Sequence, residues 1–333
     1  EQRAEVSVQV ELEGIRNKSL DIEINARILA PDGKTVAGTR GKAPQKSKLQ
    51  TVEVSLPIVT VDSPGLWSCE TPNLYTAEVS LVQDGKVIDC VTRYVGIRTL
   101  EFSPDFGFKL NGKKLFLKGI SNHHDLGAVG VAAFDRAIER QFQLMKRFGY
   151  NHIRSSHNPY SESFLKLADK YGILVVDELI DKWSDNSYWG GRVPFTQLWY
   201  QMIPEWIKRD RNHPSIFFWT INNEMKFYDN DPDKDRAIKK MQIIEKVVKR
   251  MREVDPTRPI CFDSNYKRPE KRFGKDFFKT FDDGDIDDDH SYINWYDHTV
   301  FKQFNGEFQK NKREGRPLIS QEMSTGYPNN ETG

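Results

Sequence analysis

Residues 210–224 read D-R-N-H-P-S-I-F-F-W-T-I-N-N-E, and this stretch decides the fold of the chain around it. Its apolar segment, residues 216–221, has the length and composition of a strand buried on both faces of a parallel sheet. The segment ends in Asn222-Asn223-Glu224, where a longer strand would continue with an apolar residue. Barrel enzymes carry their chemistry at the C-terminal ends of buried parallel strands. Glu224 is therefore a candidate catalytic residue, although a glutamate that caps the next helix would also fit.

Short apolar strands alternate with amphipathic helices from residue 102 onward, which is the pattern of a parallel α/β fold. One helix carries the apolar positions Ile138, Phe142, Met145 and Phe148, and another carries Ala237, Met241, Ile244, Val248 and Met251. Seven strands are predicted, at residues 115–119, 152–155, 174–177, 216–221, 260–263, 292–294 and 318–320. Because a (β/α)8 TIM barrel has eight strands, residues 102–333 predict such a barrel, truncated after strand 7.

Residues 1–101 show the period of two that is typical of half-buried strands. Leu20, Ile22, Ile24, Ala26 and Ile28 alternate with polar or charged residues. Two dipeptides, Asp32-Gly33 and Asp84-Gly85, are hairpin turn signals. This pattern predicts an immunoglobulin-like β-sandwich with a structural role.

Composition limits the function classes. The 333 residues, 38% of them hydrophobic, can form two domains with a sizeable core. The net charge of +1 gives no field that would attract nucleic acid or an anionic membrane, and no apolar run reaches the roughly 20 residues of a membrane span. The three cysteines, Cys69, Cys90 and Cys261, follow no metal-ligand spacing. Cys69 and Cys90 could pair, but three buried free thiols are the favoured interpretation.

Polar side chains follow the predicted barrel strands at the same end. They include His123, His124, Asp125, His157, Asp177, Glu178, Asp181, Trp183, Asn223, Glu224, His290, Tyr292, Gln321 and Glu322. Such groups can hydrogen-bond a polyol, and two carboxylates that converge across a barrel mouth suit glycoside hydrolysis. Glu224 and Glu322 follow strands four and seven, on opposite sides of a barrel, so they are the predicted pair.

Six aspartates within residues 282–289 could bind a hard cation, but they lack the spacing of a calcium loop. A solvated loop is the favoured interpretation. Adjacent histidines rarely chelate one ion together, so His123-His124 does not indicate a metal either. Neither a metal nor a cofactor is predicted.

Two long motifs carry a family resemblance. The first runs from Asn151 through Arg154-Ser155-Ser156-His157 to Asp177-Glu178, and the second is the opening stretch, residues 210–224. Both resemble the signatures of glycoside hydrolase family 2, which contains β-galactosidases, β-glucuronidases and β-mannosidases. Residues 66–75 are similar to the sandwich domain of that family, so the resemblance covers the whole chain. It implies that an N-terminal sugar-binding domain and the C-terminal remainder of a longer parent chain are missing.

The resemblance implies roles for individual residues. Glu224 would be the general acid/base and Glu322 the nucleophile. By its position after the third strand, and apart from the resemblance, Trp183 would either stack on a sugar ring or pack within a loop. The implied substrate-binding residues are Asn223, which would hold the sugar 2-hydroxyl, Tyr292, which would hydrogen-bond the nucleophile, and His157, His124, Asp125 and Trp183.

The resemblance implies a retaining, exo-acting β-glycosidase, most similar to a β-galactosidase, with a glycoside or oligosaccharide as its substrate. A β-glucuronidase, another specificity of the family, and a non-catalytic carbohydrate-binding relative remain as alternatives. Thr220, Asn158 and Met323 depart from the usual family residues and leave the identity of the sugar open. A periplasmic or secreted location is favoured over a cytoplasmic one, and an oligomer is possible.

Overall fold

The chain forms two compact units, residues 1–98 with 212–214, and residues 99–211 with 215–333. The computed structural model describes residues 2–14, 21–44, 47–182, 193–225, 232–264, 268, 270–290 and 313–322. The first unit is an immunoglobulin-like β-sandwich and the second holds strands and helices of a TIM barrel, so the predicted fold class is confirmed. None of the helices in the described ranges combines the length and the apolarity that crossing a bilayer requires.

The sandwich is built from antiparallel strands. They are β1 (Arg3–Val6), β2 (Gln9–Glu13), β3 (Glu23–Leu29), β4 (Thr35–Lys42), β5 (Thr51–Ser55), β6 (Val59–Asp62), β7 (Tyr75–Gln83) and β8 (Lys86–Val95). One sheet has the order β4-β3-β7-β8, and β1–β6 and β2–β5 form two further pairs. Ile22, Ile24, Ala26 and Ile28 are buried, which confirms the predicted alternation. Leu20 lies outside the described residues.

Both predicted hairpin turns are present. Gly33 connects β3 to β4 with a φ of 82°, and Asp84 and Gly85 connect β7 to β8 with φ of 49° and 74°. Positive φ at two successive residues matches the right-handed twist of the flanking strands. The hairpin leaves β8 at an edge of its sheet, with nine of its ten residues exposed. Cys90 lies there as an exposed free thiol, so the expectation of three buried thiols is wrong for this residue, whereas Cys69 and Cys261 are buried.

The second unit begins with β9 (Leu100–Ser103), β10 (Gly107–Leu110) and β11 (Lys113–Lys114), a small antiparallel sheet. Its barrel elements are β12 (Gly119–His123), α1 (Asp135–Arg147), β13 (His152–Ser156), α2 (Glu162–Tyr171), β14 (Leu174–Glu178), α3 (Phe195–Asp210), β15 (Ile216–Asn223), α4 (Lys234–Val254), β16 (Ile260–Ser264), α5 (Glu270–Phe273), α6 (Lys275–Thr280), β17 (Asp287–His290) and β18 (Leu318–Glu322). Strands β12 to β16 form one parallel sheet in sequence order, and β17 pairs in parallel with β18. The Ser121 hydroxyl donates to the Gln321 carbonyl at 2.9 Å and so links β12 to β18.

The helices cover the parallel strands through their apolar faces. The five predicted apolar residues of α4 are all fully buried, which confirms that helix. In α1 the prediction is wrong for Phe148, because the helix ends at Arg147 and the ring is 71% exposed. Helix α2 starts at Ser161, whose hydroxyl accepts from the Phe164 amide, and ends at Gly172 in a left-handed conformation. These caps fix where α2 begins and ends, and so where β14 follows.

Strand β15 is buried along its whole length, as its composition predicted. The first barrel strand differs from its prediction. It starts at Gly119 and not at Leu115, because the amide of Leu115 bonds to Phe108 next to the β10–β11 hairpin. His123, predicted to follow the strand, is its last residue.

The sixth strand corrects the interpretation of the aspartate-rich segment. Residues 287–290 form β17 and are buried, so a solvated loop is wrong. Three arginines distant in sequence compensate for the acidic charge. Arg268 donates to Asp283 at 2.8 Å and to Asp287 at 2.7 Å, and Arg316 donates to Asp283 at 2.6 Å. The third, Arg313, lies 3.3 Å from Asp283. The predicted strand at residues 292–294 lies outside the described residues.

Candidate active site at the carboxyl ends of the barrel strands

Glu224 and Glu322 come together, although 98 positions separate them in the sequence. Glu322 is the last residue of β18, and Glu224 directly follows β15. Glu224 has a φ of 49°, in the left-handed region that side chains other than glycine rarely adopt. Carboxylate oxygens of the two glutamates and a ring nitrogen of His290 all lie within 4.8 Å of one another. The side chains of Glu224 and Glu322 are 25% and 11% exposed, so both are open to a ligand.

His290, at the end of β17, lies between the two carboxylates. Its Nδ1 atom is 3.1 Å from Glu224 Oε1 and 3.4 Å from Glu322 Oε2. On the other side of the ring, Nε2 is 3.3 Å from Asp288 Oδ2. The imidazole is fully buried. One nitrogen of this ring can therefore serve either glutamate, while the other faces a third carboxylate.

The surroundings of His290 favour its charged form. Burial lowers the pKa of the imidazole, but the nearby carboxylates of Asp288, Glu224 and Glu322 outweigh that effect and raise it to about 9. The folded pKa exceeds the usual 6.5, so this group stabilises the fold fully below pH 6.5 and ceases to do so as the pH rises through about 9. At neutral pH, His290 therefore places a positive charge between the glutamates.

Arg154, in β13, supplies a second positive charge and is 1% exposed. Its Nη1 donates to Glu322 Oε1, its Nε donates to Glu178 at 2.7 Å, and its Nη2 donates to Asn223 at 3.0 Å. Burial acts to lower the pKa of the guanidinium, but Glu178, Glu322 and Asp288 together raise it above its usual value. Arg154 is thus permanently charged and holds Glu322 in place as a carboxylate.

Asn223 and His157 form a connected hydrogen-bond network. His157 Nδ1 is 2.8 Å from Glu178 Oε1, and a proton on Nδ1 leaves Nε2 free to accept from Asn223 Nδ2 at 3.4 Å. The same amide donates its other hydrogen to Asp181 at 3.1 Å. Asn223 is therefore fixed in orientation next to Glu224.

Two further predicted site residues, His124 and Asp125, line an open cleft of about 420 Å³ together with His157 and Asp181. The His124 ring stacks on Tyr160 at 4.5 Å, and burial lowers its pKa. Asp125 accepts from the Gly127 amide at 2.9 Å and so stabilises the turn after β12. Both residues lie in the same cleft as His157. They do not belong to the hydrogen-bond network of His157 and Asn223. Trp183 and Tyr292 lie outside the described residues.

The sequence interpretation gave no catalytic role to Arg154, His290 or Lys182. Arg154 stands within the first family motif and His290 flanks the predicted sixth strand, so both could have been found from those positions. Lys182 Nζ lies 3.9 Å from Glu224 Oε2, and nothing in the local sequence distinguishes it from other surface lysines. Two of the predicted polar groups do not point into the mouth of the barrel. Asp177 accepts from Trp206 of α3 at 2.8 Å, and Glu178 is fully buried under Arg154.

The cluster of Glu224, His290 and Glu322 has donor atoms that could bind a cation. A metal would require an unprotonated His290 Nδ1. Without a cation, the neighbouring carboxylates raise the pKa of this imidazole to about 9, so a metal would have to displace the Nδ1 proton.

The fold and this cluster define a class of protein. Residues 104–331 match the family described as "Glycosyl hydrolases family 2, TIM barrel domain", and residues 1–98 match "Glycosyl hydrolases family 2". The chain belongs to glycosyl hydrolase family 2, which confirms the resemblance. The matches leave residues 99–103 between them, and the predicted domain boundary after residue 101 stays a prediction.

Individual relatives cover much of this chain. It is 34% identical over 226 residues to the β-galactosidase BoGH2A of Bacteroides ovatus, across 68% of this chain and 26% of that protein. It is 32% identical over 269 residues to a β-glucuronidase of Bacteroides fragilis, across 79% and 37% of the two chains. The solved structure of a family 2 member from Bacteroides cellulosilyticus superposes with a TM-score of 0.80 at 31% identity, across 96% of this chain and 40% of that one. The chain thus spans about a quarter to two fifths of the length of these relatives.

Proposed function

We propose that this chain carries the catalytic site of a retaining, exo-acting β-glycosidase, in which Glu322 is the nucleophile and Glu224 the general acid/base. One observation carries the proposal: one carboxylate oxygen of Glu224 and one of Glu322 lie within 4.8 Å of each other. Retaining glycosidases hold their carboxyl groups about 5–5.5 Å apart, whereas inverting ones need about 6.5–9.5 Å to admit a water. The close approach of these two oxygens supports the retaining mechanism.

In the first step, Glu322 Oε2 attacks the anomeric carbon while the protonated carboxyl of Glu224 donates its proton to the departing glycosidic oxygen. The carbon–oxygen bond to the aglycone breaks and a glycosyl ester with Glu322 forms. Arg154 keeps Glu322 ionised and oriented through its bond to Oε1, which leaves Oε2 to attack. Asn223, held by Arg154 and Asp181, is placed to hydrogen-bond a sugar hydroxyl.

In the second step, Glu224 is a carboxylate and removes a proton from the attacking water, which hydrolyses the ester and restores Glu322. The Nδ1 proton of His290 can follow the negative charge between the two carboxylates. It bonds to Glu322 while Glu224 is protonated, and to Glu224 once Glu322 is esterified. Its nearly equal distances to the two carboxylates, 3.1 and 3.4 Å, support this role.

This role predicts a pH effect for His290→Asn, which retains a hydrogen-bond donor near Nδ1 but removes the positive charge. That charge favours the ionised forms of both glutamates. Without it, we expect both limbs of the pH profile of kcat/KM to move to higher pH by about 1 unit. The measurement is the hydrolysis of an aryl glycoside across the pH range in which the protein stays folded.

Lys182→Met is the matched comparison, because it also removes a positive charge near Glu224 but lies near only that glutamate. It should move the alkaline limb alone and by less, since the side chain of Lys182 is 34% exposed and screened by solvent. An unchanged acidic limb in His290→Asn would contradict the assigned role.

We propose a β-galactoside as the substrate and a β-glucuronide as the second candidate. The support is the relatives, a β-galactosidase at 34% identity and a β-glucuronidase at 32%. The test measures kcat/KM for the nitrophenyl β-galactoside, β-glucuronide, β-glucoside and β-mannoside, with the double variant Glu224→Gln/Glu322→Gln as the blank. A rate above the blank on the galactoside alone is expected. Rates equal to the blank on every glycoside, with sugar binding retained, would favour a non-catalytic carbohydrate-binding protein.

A further inference from the structure

Strand β8 presents an unusual edge to solvent. Its apolar residues are exposed on both faces, with Val91 44% exposed on one and Val87 64% and Tyr94 59% exposed on the other. The pairing with β7 shifts register at Ile88, which is 51% exposed. Within the described part of the chain, β7 is its only strand partner. A long exposed strand with apolar side chains is a template for pairing with another strand.

Two hydrogen bonds identify the backbone groups that face outward. The Cys90 amide donates to the Asp89 carboxylate at 2.8 Å, and the Thr92 carbonyl accepts from Arg93 Nη1 at 3.0 Å. These groups point away from β7, because side chains of the same strand reach them. By the alternation of an antiparallel ladder, Cys90, Thr92 and Tyr94 expose their N–H and C=O groups at the edge, and odd-numbered residues between 89 and 95 face β7. The alternation does not extend to residues 86–88, because the pairing with β7 shifts register there.

We propose that β8 pairs antiparallel with β8 of a second copy of this chain, with Val91 opposite Val91 on the two-fold axis. This register sets Cys90 opposite Thr92, so the outward backbone groups of both strands bond to each other. It also sets Asp89 of each copy opposite Arg93 of the other, which gives two cross-strand ion pairs. The proposal does not depend on the proposed function.

Charge complementarity favours this partner over the other edge of the same sheet. Strand β4 carries Arg40 and Lys42 on its exposed edge, and each already lies near an acidic residue of the same unit, Glu23 at 3.9 Å and Asp21 at 3.2 Å. Pairing β8 with β4 would also be head-to-tail and would generate open chains of molecules. The self-complementary order of Asp89, Val91 and Arg93 gives a closed dimer instead.

The first test is charge reversal and exchange, read by analytical ultracentrifugation of the purified chain. The unchanged chain is expected to be a dimer in a concentration-dependent equilibrium with monomer. Asp89→Arg and Arg93→Asp should each raise the dimer dissociation constant by about tenfold or more, because like charges then oppose each other twice. The double variant Asp89→Arg/Arg93→Asp should restore dimerisation. Arg40→Asp, the same charge change on β4, should leave it unaffected.

The second test reads the register. Residues opposite each other in a non-hydrogen-bonded antiparallel pair have Cα atoms about 4.5 Å apart, which a disulfide can span. The variant Cys90→Ser/Val91→Cys should therefore form a cross-linked dimer under mild oxidation, while the native Cys90 should not. Thermal unfolding of each variant establishes that the sandwich remains folded.

Three results would overturn the proposal. A chain that stays monomeric at all accessible concentrations has no such interface. Species longer than a dimer indicate head-to-tail pairing with β4. A dimer that persists in both single charge variants, or that cross-links through Cys90, uses another surface or another register.

Discussion

Replacing Glu322 by Gln is expected to lower kcat for an aryl β-glycoside by about 10⁴-fold or more, as removal of a catalytic nucleophile does elsewhere. The amide keeps the shape of the side chain and its contact with Arg154 but cannot attack the anomeric carbon. The measurement is steady-state hydrolysis, together with mass spectrometry of the protein after reaction with a slowly hydrolysed fluorosugar. The unchanged protein should gain the mass of one glycosyl group, and the variant should gain none.

Chemical rescue distinguishes the two glutamates. With azide present, Glu322→Ala should release a glycosyl azide of inverted configuration, because azide attacks directly in place of the side chain. Glu224→Ala should release one of retained configuration from a substrate with a good leaving group, since azide then attacks the glycosyl-enzyme. Glu205→Gln, an exposed position on α3, is the control and should retain full activity. Products of the same configuration from both variants would refute the assignment of roles.

Replacing Arg154 by Met is expected to destabilise the second unit by about 3–5 kcal/mol, because removal of one partner of a buried pair leaves the other charge uncompensated. Glu178, which bonds to Arg154 Nε at 2.7 Å, is fully buried and would lose that charged partner. The measurement is the free energy of unfolding in urea.

A second variant makes this expectation specific. In Arg154→Met/Glu178→Gln the stranded charge is gone, so the double variant should be more stable than Arg154→Met alone. Arg136→Met removes an exposed arginine that pairs with Glu139, and should leave stability unchanged within error. Additive losses in the double variant would show that Glu178 carries little of the effect.

Much of the barrel was predictable because its strands are locally apolar. Strand β15 is buried on both faces, so its composition and its polar ending identified both the strand and Glu224. Glu322 followed from the family resemblance and from the rule that parallel strands end at the same edge of a barrel. The proximity of the two carboxylates could be expected. His290 was among the polar residues predicted at this end of the barrel, but its position between the two carboxylates was not predicted.

The aspartate-rich segment shows why the remainder was not predictable. A run of acidic residues indicates solvent exposure unless cations elsewhere neutralise it. Here those cations are Arg268, Arg313 and Arg316, and they reach Asp283 and Asp287 only through the fold. No local sequence pattern indicates these ion pairs. As a result, the buried strand β17 was interpreted as a loop, and the role of His290 at its end was missed.

The left-handed backbone at Glu224 has a consequence for stability. A non-glycine residue in this conformation costs about 1–2 kcal/mol, and a glycine would avoid the cost. Glu224→Gly would therefore relieve this backbone cost while removing the carboxyl group. Backbone strain of this kind clusters at functional sites, and at Glu224 it coincides with the proposed general acid/base.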